Sequence, residues 1–149
     1  MPVASVDHVA LPAHRVRELI EFYGALGFDT PTIREVENSS VPVFSVSGGQ
    51  QKINFHLPAL WQRESFELRG PTATPGCGDL CFVWQGSEIA LIRALASVDT
   101  RPTVGPVRMR GAAGWGASIY TRDPDGNLVE FIFYDSDQLV SSVQQRLDI

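Results

Sequence analysis

The chain switches repeatedly between two hydrophobic rhythms. Residues 6–12 alternate, with Val9 and Leu11 on one side and His8 and Ala10 on the other, which reads as a strand. From about residue 15 to 26 the period lengthens. Val16, Leu19, Ile20, Tyr23 and Leu26 recur every three or four positions and give a helix one apolar face. Gly27 stops it, since glycine takes the left-handed C′ conformation without a Cβ clash. Residues 28–36 and 41–47 read as strands, although Pro31 suits the first only as an edge or irregular piece. Gly48-Gly49 is a turn, and 51–57 returns as a strand. Proline and glycine then break every regular pattern over 58–76, a linker in which Trp61, Phe66 and Leu68 still call for packing.

The same order follows again. Residues 79–84 read as a strand and 87–97 as a helix, with Ile89, Ile92, Leu95 and Ala96 inward and Ser87 as N-cap. Strands at 103–110 and 115–122 precede the turn Asp123-Pro124-Asp125-Gly126-Asn127, and the last strand runs over 127–134. The expected architecture is α+β: tandem β-α-β-β-β modules at 5–72, linker included, and 73–135. A tail, 136–149, carries Leu139, Val140, Val143 and Leu147 as a short amphipathic helix.

Composition narrows the partners. At 149 residues the chain holds one core or two small modules sharing one. A net charge of −5 without a Lys/Arg cluster argues against nucleic acid or an anionic membrane as the main partner. No apolar run approaches the ~20 residues that span a bilayer, and the first residues lack a signal-peptide pattern, so a cytoplasmic protein is expected. Cys77 and Cys81, four apart in a strand region, are read as buried reduced thiols rather than a disulfide or a zinc pair.

Candidate chemistry lies in four residues at matching places in the two halves. His8 and Asp79 open strands at an offset of 71, and His56 and Glu130 sit in strands at an offset of 74. In each strand the bulky apolar residues take one face and the candidate takes the other. Val129, Phe131 and Phe133 oppose Glu130, Phe55 opposes His56, Val9 and Leu11 oppose His8, and Leu80 and Phe82 oppose Asp79. The apolar faces await the two helices, which leaves the ligand-bearing faces to line a cleft. A carboxylate among Leu128-Val129-Glu130-Phe131-Ile132-Phe133 is costly unless paired or bound to a metal. Two imidazoles and two carboxylates are a donor set for one divalent ion: zinc, nickel, cobalt, manganese or iron. The plainer readings are single polar residues on solvated faces, or a hydrogen-bonded network without metal.

These stretches resemble the vicinal oxygen chelate superfamily of glyoxalases, bleomycin-resistance proteins and extradiol dioxygenases. The matching motifs are Asp7-His8-Val9-Ala10-Leu11, Phe22-Tyr23-Gly24-Ala25-Leu26-Gly27-Phe28 and Asp123-Pro124-Asp125-Gly126-Asn127-Leu128-Val129-Glu130. Gln51-Lys52-Ile53-Asn54-Phe55-His56, Pro75-Gly76-Cys77-Gly78-Asp79-Leu80-Cys81-Phe82 and Ser118-Ile119-Tyr120-Thr121-Arg122-Asp123 resemble a glyoxalase-like subgroup. The resemblance spans about residues 5–134. It implies two β-α-β-β-β modules in a half-barrel around a metal, with His8, His56, Asp79 and Glu130 at the ligand positions. His56 and Asp79 depart from the usual glyoxalase I pattern, and Asp79 replaces the histidine usual in extradiol dioxygenases.

The expected reaction is a glyoxalase-type lyase or isomerase step, with proton abstraction by Glu130 next to a metal-bound carbonyl. Asp79 stands second for that role. The alternatives are a non-haem iron dioxygenase using His8, His56 and Glu130, with Asp79 behind them, and a non-catalytic small-molecule-binding protein. Lys52 and Asn54, which share a face with His56, and Tyr120 and Arg122, which share one in their own strand, are candidate substrate contacts. Trp115, set among glycines, is read as a packing residue. The apolar tail and linker point to a homodimer.

Overall fold

The computed structural model describes residues 2–134; the expected tail helix lies outside them. Seven strands and four helices follow in the order β1 (His8–Pro12), α1 (Val16–Ala25), α2 (Ile33–Asn38), β2 (Val43–Gly48), β3 (Gln51–His56), α3 (Pro58–Trp61), β4 (Asp79–Val83), α4 (Glu88–Ala96), β5 (Val104–Gly111), β6 (Gly114–Arg122) and β7 (Leu128–Phe133). The chain forms two compact units. One takes the described residues up to Gly78 together with Pro124–Gly126, and the other takes Asp79–Asp123 and the residues from Asn127. The boundary between the units lies at the foot of β4, and the turn tip Pro124–Gly126 is grouped apart from its flanks. Among the described residues no helix is long and apolar enough to cross a membrane.

In the first unit β3 lies between β1, to which it is parallel, and β2, to which it is antiparallel. Its apolar face, Ile53 and Phe55, is fully buried with Leu19, Phe22 and Tyr23 of α1 and with Phe44 and Val46 of β2. Phe55 stacks on Phe44 at 5.1 Å between centroids and meets Tyr23 at 5.5 Å. The strand expected over 28–36 is absent; Asp29 makes one isolated bridge to Ser47 and the chain turns into α2. The cause is local. Thr32 and Glu35 form a capping box, with Thr32 Oγ1 accepting from the Glu35 N–H and the Glu35 carboxylate accepting from the Thr32 N–H at 2.7 Å. Two otherwise orphaned donors are satisfied, which outweighs the weak strand pattern around Pro31.

In the second unit the order β4-β7-β6-β5 completes the expected β-α-β-β-β module. Val129, Phe131 and Phe133 are buried on one face with Ala117 and Ile119 of β6 and Leu91 and Leu95 of α4. Ser87 caps α4 as expected, its hydroxyl accepting the Ala90 N–H at 3.2 Å. The inward stripe differs from the expectation. Glu88, Leu91 and Leu95 are buried, while Ile89 and Ile92 are exposed, because the helix phase follows the Leu91–Leu95 pair. Both cysteines are exposed, since β4 is an edge strand and Cys81 points away from its packed face. Trp115 stands on the surface with Arg108 4.4 Å above its ring, rather than in a core.

Asp125 ties the turn tip to α1. Arg15, the N-cap residue, makes no side-chain cap of its own, and the Asp125 carboxylate instead accepts the N–H groups of His14 at 2.7 Å and Arg15 at 2.8 Å. Negative charge is favoured at that end of a helix. Asp125→Ala is expected to lower stability by about 1–2 kcal/mol, and Asp125→Asn by less. Urea unfolding of the two variants beside wild type measures this.

Candidate functional site

The second face of each sheet carries the polar residues. In the first unit His8 pairs with Lys52, Ala10 with Asn54 and Pro12 with His56, so all six share the face opposite Ile53 and Phe55. Asn54 accepts a hydrogen bond from the Ser45 hydroxyl on β2 at 2.7 Å. Lys52 is exposed. His8 is exposed too, and its Nδ1 lies 2.6 Å from the Asp7 carboxylate. That contact holds the Asp7 carboxyl below the usual carboxylate range. His56 is half-buried beside Phe66, ring centroids 5.4 Å apart, and burial lowers its pKa.

A cavity of about 340 Å³ opens beside His56. Ala10, Pro12 and His56 form its floor, and Trp61, Leu68, Arg69, Gly70 and Ala73 complete the lining. The Trp61 indole is fixed by its N–H, which donates to the Ala13 carbonyl at 3.0 Å. The segment read from the sequence as a linker is thus a wall.

In the second unit Cys81, Glu130 and Tyr120 stand in one register row across β4, β7 and β6. The Ser118 hydroxyl, one row on, donates a short hydrogen bond to Glu130 Oε1. The Tyr120 hydroxyl and the Cys81 thiol stand in the same row as this carboxylate and feel its charge. Loss of surrounding water first, and then the Glu130 charge, raises the pKa of Tyr120; although Cys81 is exposed as a residue, the same two causes act at its thiol and push it up to about 12. Asp79 and Arg122 flank Leu128 in the adjacent row, on the same face. Glu130 is therefore flanked by protic side chains from the two neighbouring strands, β4 and β6, and Asp79 is its nearest acidic neighbour by register, two positions away along the ladder.

The register revises the matching of the two halves. His8 and Asp79 occupy equivalent places, but the residue two steps beyond the partner of His8 is Asn54, just as Glu130 lies two steps beyond the partner of Asp79. The counterpart of Glu130 is thus Asn54, and that of His56 is Ile132. His8 and His56 sit four positions apart along paired strands, roughly 13 Å at ~3.3 Å per residue, too far for both to lie ~2 Å from one ion. Among the described residues no three His, Cys, Asp or Glu side chains form a metal-holding group.

Toward an ion, the first unit offers His8, whose Asp7 partner orients the ring as carboxylates behind ligating histidines do. The second offers Asp79 and Glu130. Neither unit alone reaches the three protein ligands of an open catalytic site.

Ser118 was missed in the sequence although it shares the parity of Tyr120 and Arg122, which is the signal that finds it. Arg69 and Trp61 left none, because they belong to irregular chain. The Cys81 thiol is expected to resist alkylation at pH 8, where only about one in ten thousand is ionised. Mass-mapped iodoacetamide labelling checks this against an unfolded control, and Glu130→Gln is expected to speed labelling of Cys81 several-fold.

No family model matches the chain. The virulence protein STM3117 of Salmonella typhimurium (strain LT2) is 35% identical over 135 residues, covering 90% of this chain and 87% of that protein. Its crystal structure superposes with a TM-score of 0.73 at 33% identity over 91% of this chain and 100% of that one. The glyoxalase domain-containing protein RDO1 of Mycosarcoma maydis is 33% identical over 134 residues, 90% of this chain and 70% of the relative. A glyoxalase/bleomycin resistance protein/dioxygenase superfamily member from Sphaerobacter thermophilus shares the fold at a TM-score of 0.56 and 17% identity, over 89% of this chain and 99% of that one. The chain belongs to the glyoxalase/bleomycin resistance/dioxygenase superfamily, the vicinal oxygen chelate proteins.

Proposed function

We propose that this protein is a glyoxalase-type lyase or isomerase acting on a small oxygen-bearing molecule, with Glu130 as the group that takes and returns a proton. The observation that carries the reading is the carboxylate of Glu130 on the non-core face of β7, hydrogen-bonded by Ser118 and flanked in its register row by Tyr120 and Cys81. A hydrogen bond from a neutral donor holds a carboxylate in one orientation, which positions it to accept a proton from a substrate carbon. Cys81, held protonated, is not a nucleophile here.

Each unit offers ligands for a divalent ion on its polar face, His8 in the first and Asp79 with Glu130 in the second, and such an ion, when bound, would stabilise negative charge on a substrate oxygen. His56 is left out of that set by its register. The same offset disfavours an iron dioxygenase built on His8, His56 and Glu130. A homodimer belongs to the proposal as well. A second reading, binding without reaction, draws on the cavity beside His56 and predicts tight ligand uptake with no turnover.

Two measurements test this. Elemental analysis after purification without added metal is expected to find one divalent ion per chain in wild type and His56→Ala, and little in His8→Ala or Glu130→Ala; equal content in all four contradicts the ligand set. Metal-loaded wild type is expected to isomerise a methylglyoxal–thiol hemithioacetal, with Glu130→Gln slower by about 10²–10⁴-fold in kcat. Absence of turnover in wild type rejects the glyoxalase form.

A further inference from the structure

We propose that the cavity beside His56 binds small organic anions, a carboxylate carried on a planar apolar body. The inference uses the first unit alone and does not depend on the chemistry assigned to Glu130. At about 340 Å³ the cavity falls at the lower end of the range in which ligand sites are found, ~300–1,000 Å³. Its lining is mostly apolar: Ala10, Pro12, Leu68, Ala73 and the face of Trp61. An indole held by its own N–H is a preset wall on which a flat ring stacks without losing side-chain freedom.

Two polar groups converge on this apolar space. Arg69 carries a permanent charge, yet among the described residues it forms no ion pair; its recorded bond is one Nη1 contact with the Ala73 carbonyl at 3.4 Å. The remaining guanidinium donors match the two oxygens of a carboxylate. The His56 ring makes no hydrogen bond among the described residues, its recorded contact being the ring edge of Phe66. The neutral imidazole has one N–H to give. Among the described residues no acidic side chain lines the cavity. A cation that forms no ion pair among the described residues, an imidazole ring that makes no hydrogen bond among them and the Trp61 wall thus point to an anionic head on an apolar body. A neutral amide of the same shape would leave the guanidinium charge unmatched, and a bare acetate would leave the indole wall uncovered.

The test follows the Trp61 indole N–H resonance of the full-length protein, assigned with Trp61→Phe, during titration with benzoate, benzamide and acetate in the presence of EDTA. The expected result is saturable benzoate binding, at least tenfold weaker in Arg69→Gln and intermediate in Arg69→Lys. Benzamide is expected to bind at least tenfold more weakly than benzoate, and acetate not to saturate. Arg69 is exposed, so both variants should keep the wild-type fold, which their backbone spectra check. The proposal is overturned if benzoate does not saturate, if Arg69→Gln binds it as well as wild type does, or if benzamide matches benzoate. Binding that EDTA abolishes also overturns it, because the anion would then be held by a metal. The hemithioacetal assay reads Glu130 separately, so failure of one reading leaves the other standing or falling by its own data.

Discussion

Each sheet depends on an interior strand with two unlike faces. Ile53 and Phe55 bury one side of β3, which puts Lys52, Asn54 and His56 on the other. Val129, Phe131 and Phe133 do the same for β7 and put Glu130 opposite them. A slip of one residue would drive the polar set into the core and the aromatic set out of it, at the cost of burying an unpaired charge. The hydrophobic pattern that makes the fold is therefore also what aims the chemistry.

Much of the fold was readable because that pattern is strong. The alternation in β1, β3, β4 and β7, the helical period of α1 and the Ser87 cap all depend on local signals, and all appear where expected. The failures have local causes too. A capping box at Thr32 and Glu35 outcompeted a strand marked by few apolar residues. On α4, two overlapping apolar stripes were available, and only packing chose the Leu91–Leu95 stripe over Ile89 and Ile92. The candidate site was legible in face but not in register. Parity along a strand places Glu130 and His56 on the polar sides, whereas only the ladder shows that Asn54, not His56, corresponds to Glu130. Arg69 and Trp61 lie in chain without periodicity, and their convergence on one cavity is a tertiary fact.

Family membership leaves function open, since one fold carries many reactions and some members need perform none. What distinguishes this chain is how its polar residues are distributed. The second unit concentrates protic side chains around one carboxylate, an arrangement suited to moving protons. The first unit places a permanent cation and a neutral imidazole around an apolar recess, an arrangement suited to holding a molecule. Under the proposal made for the cavity, His56 serves the second kind of task, and its departure from the usual glyoxalase pattern would be a matter of recognition.

The account turns on Glu130 as the proton acceptor, and isotope exchange reads that role without requiring a complete turnover. Wild-type protein, supplied with divalent metal and a methylglyoxal–thiol hemithioacetal in D₂O, is predicted to deliver deuterium to the carbon next to the carbonyl, followed by proton NMR. Glu130→Gln, folded as wild type, is predicted to show only the background rate. Exchange at the wild-type rate in Glu130→Gln, or none in either protein, would contradict the account.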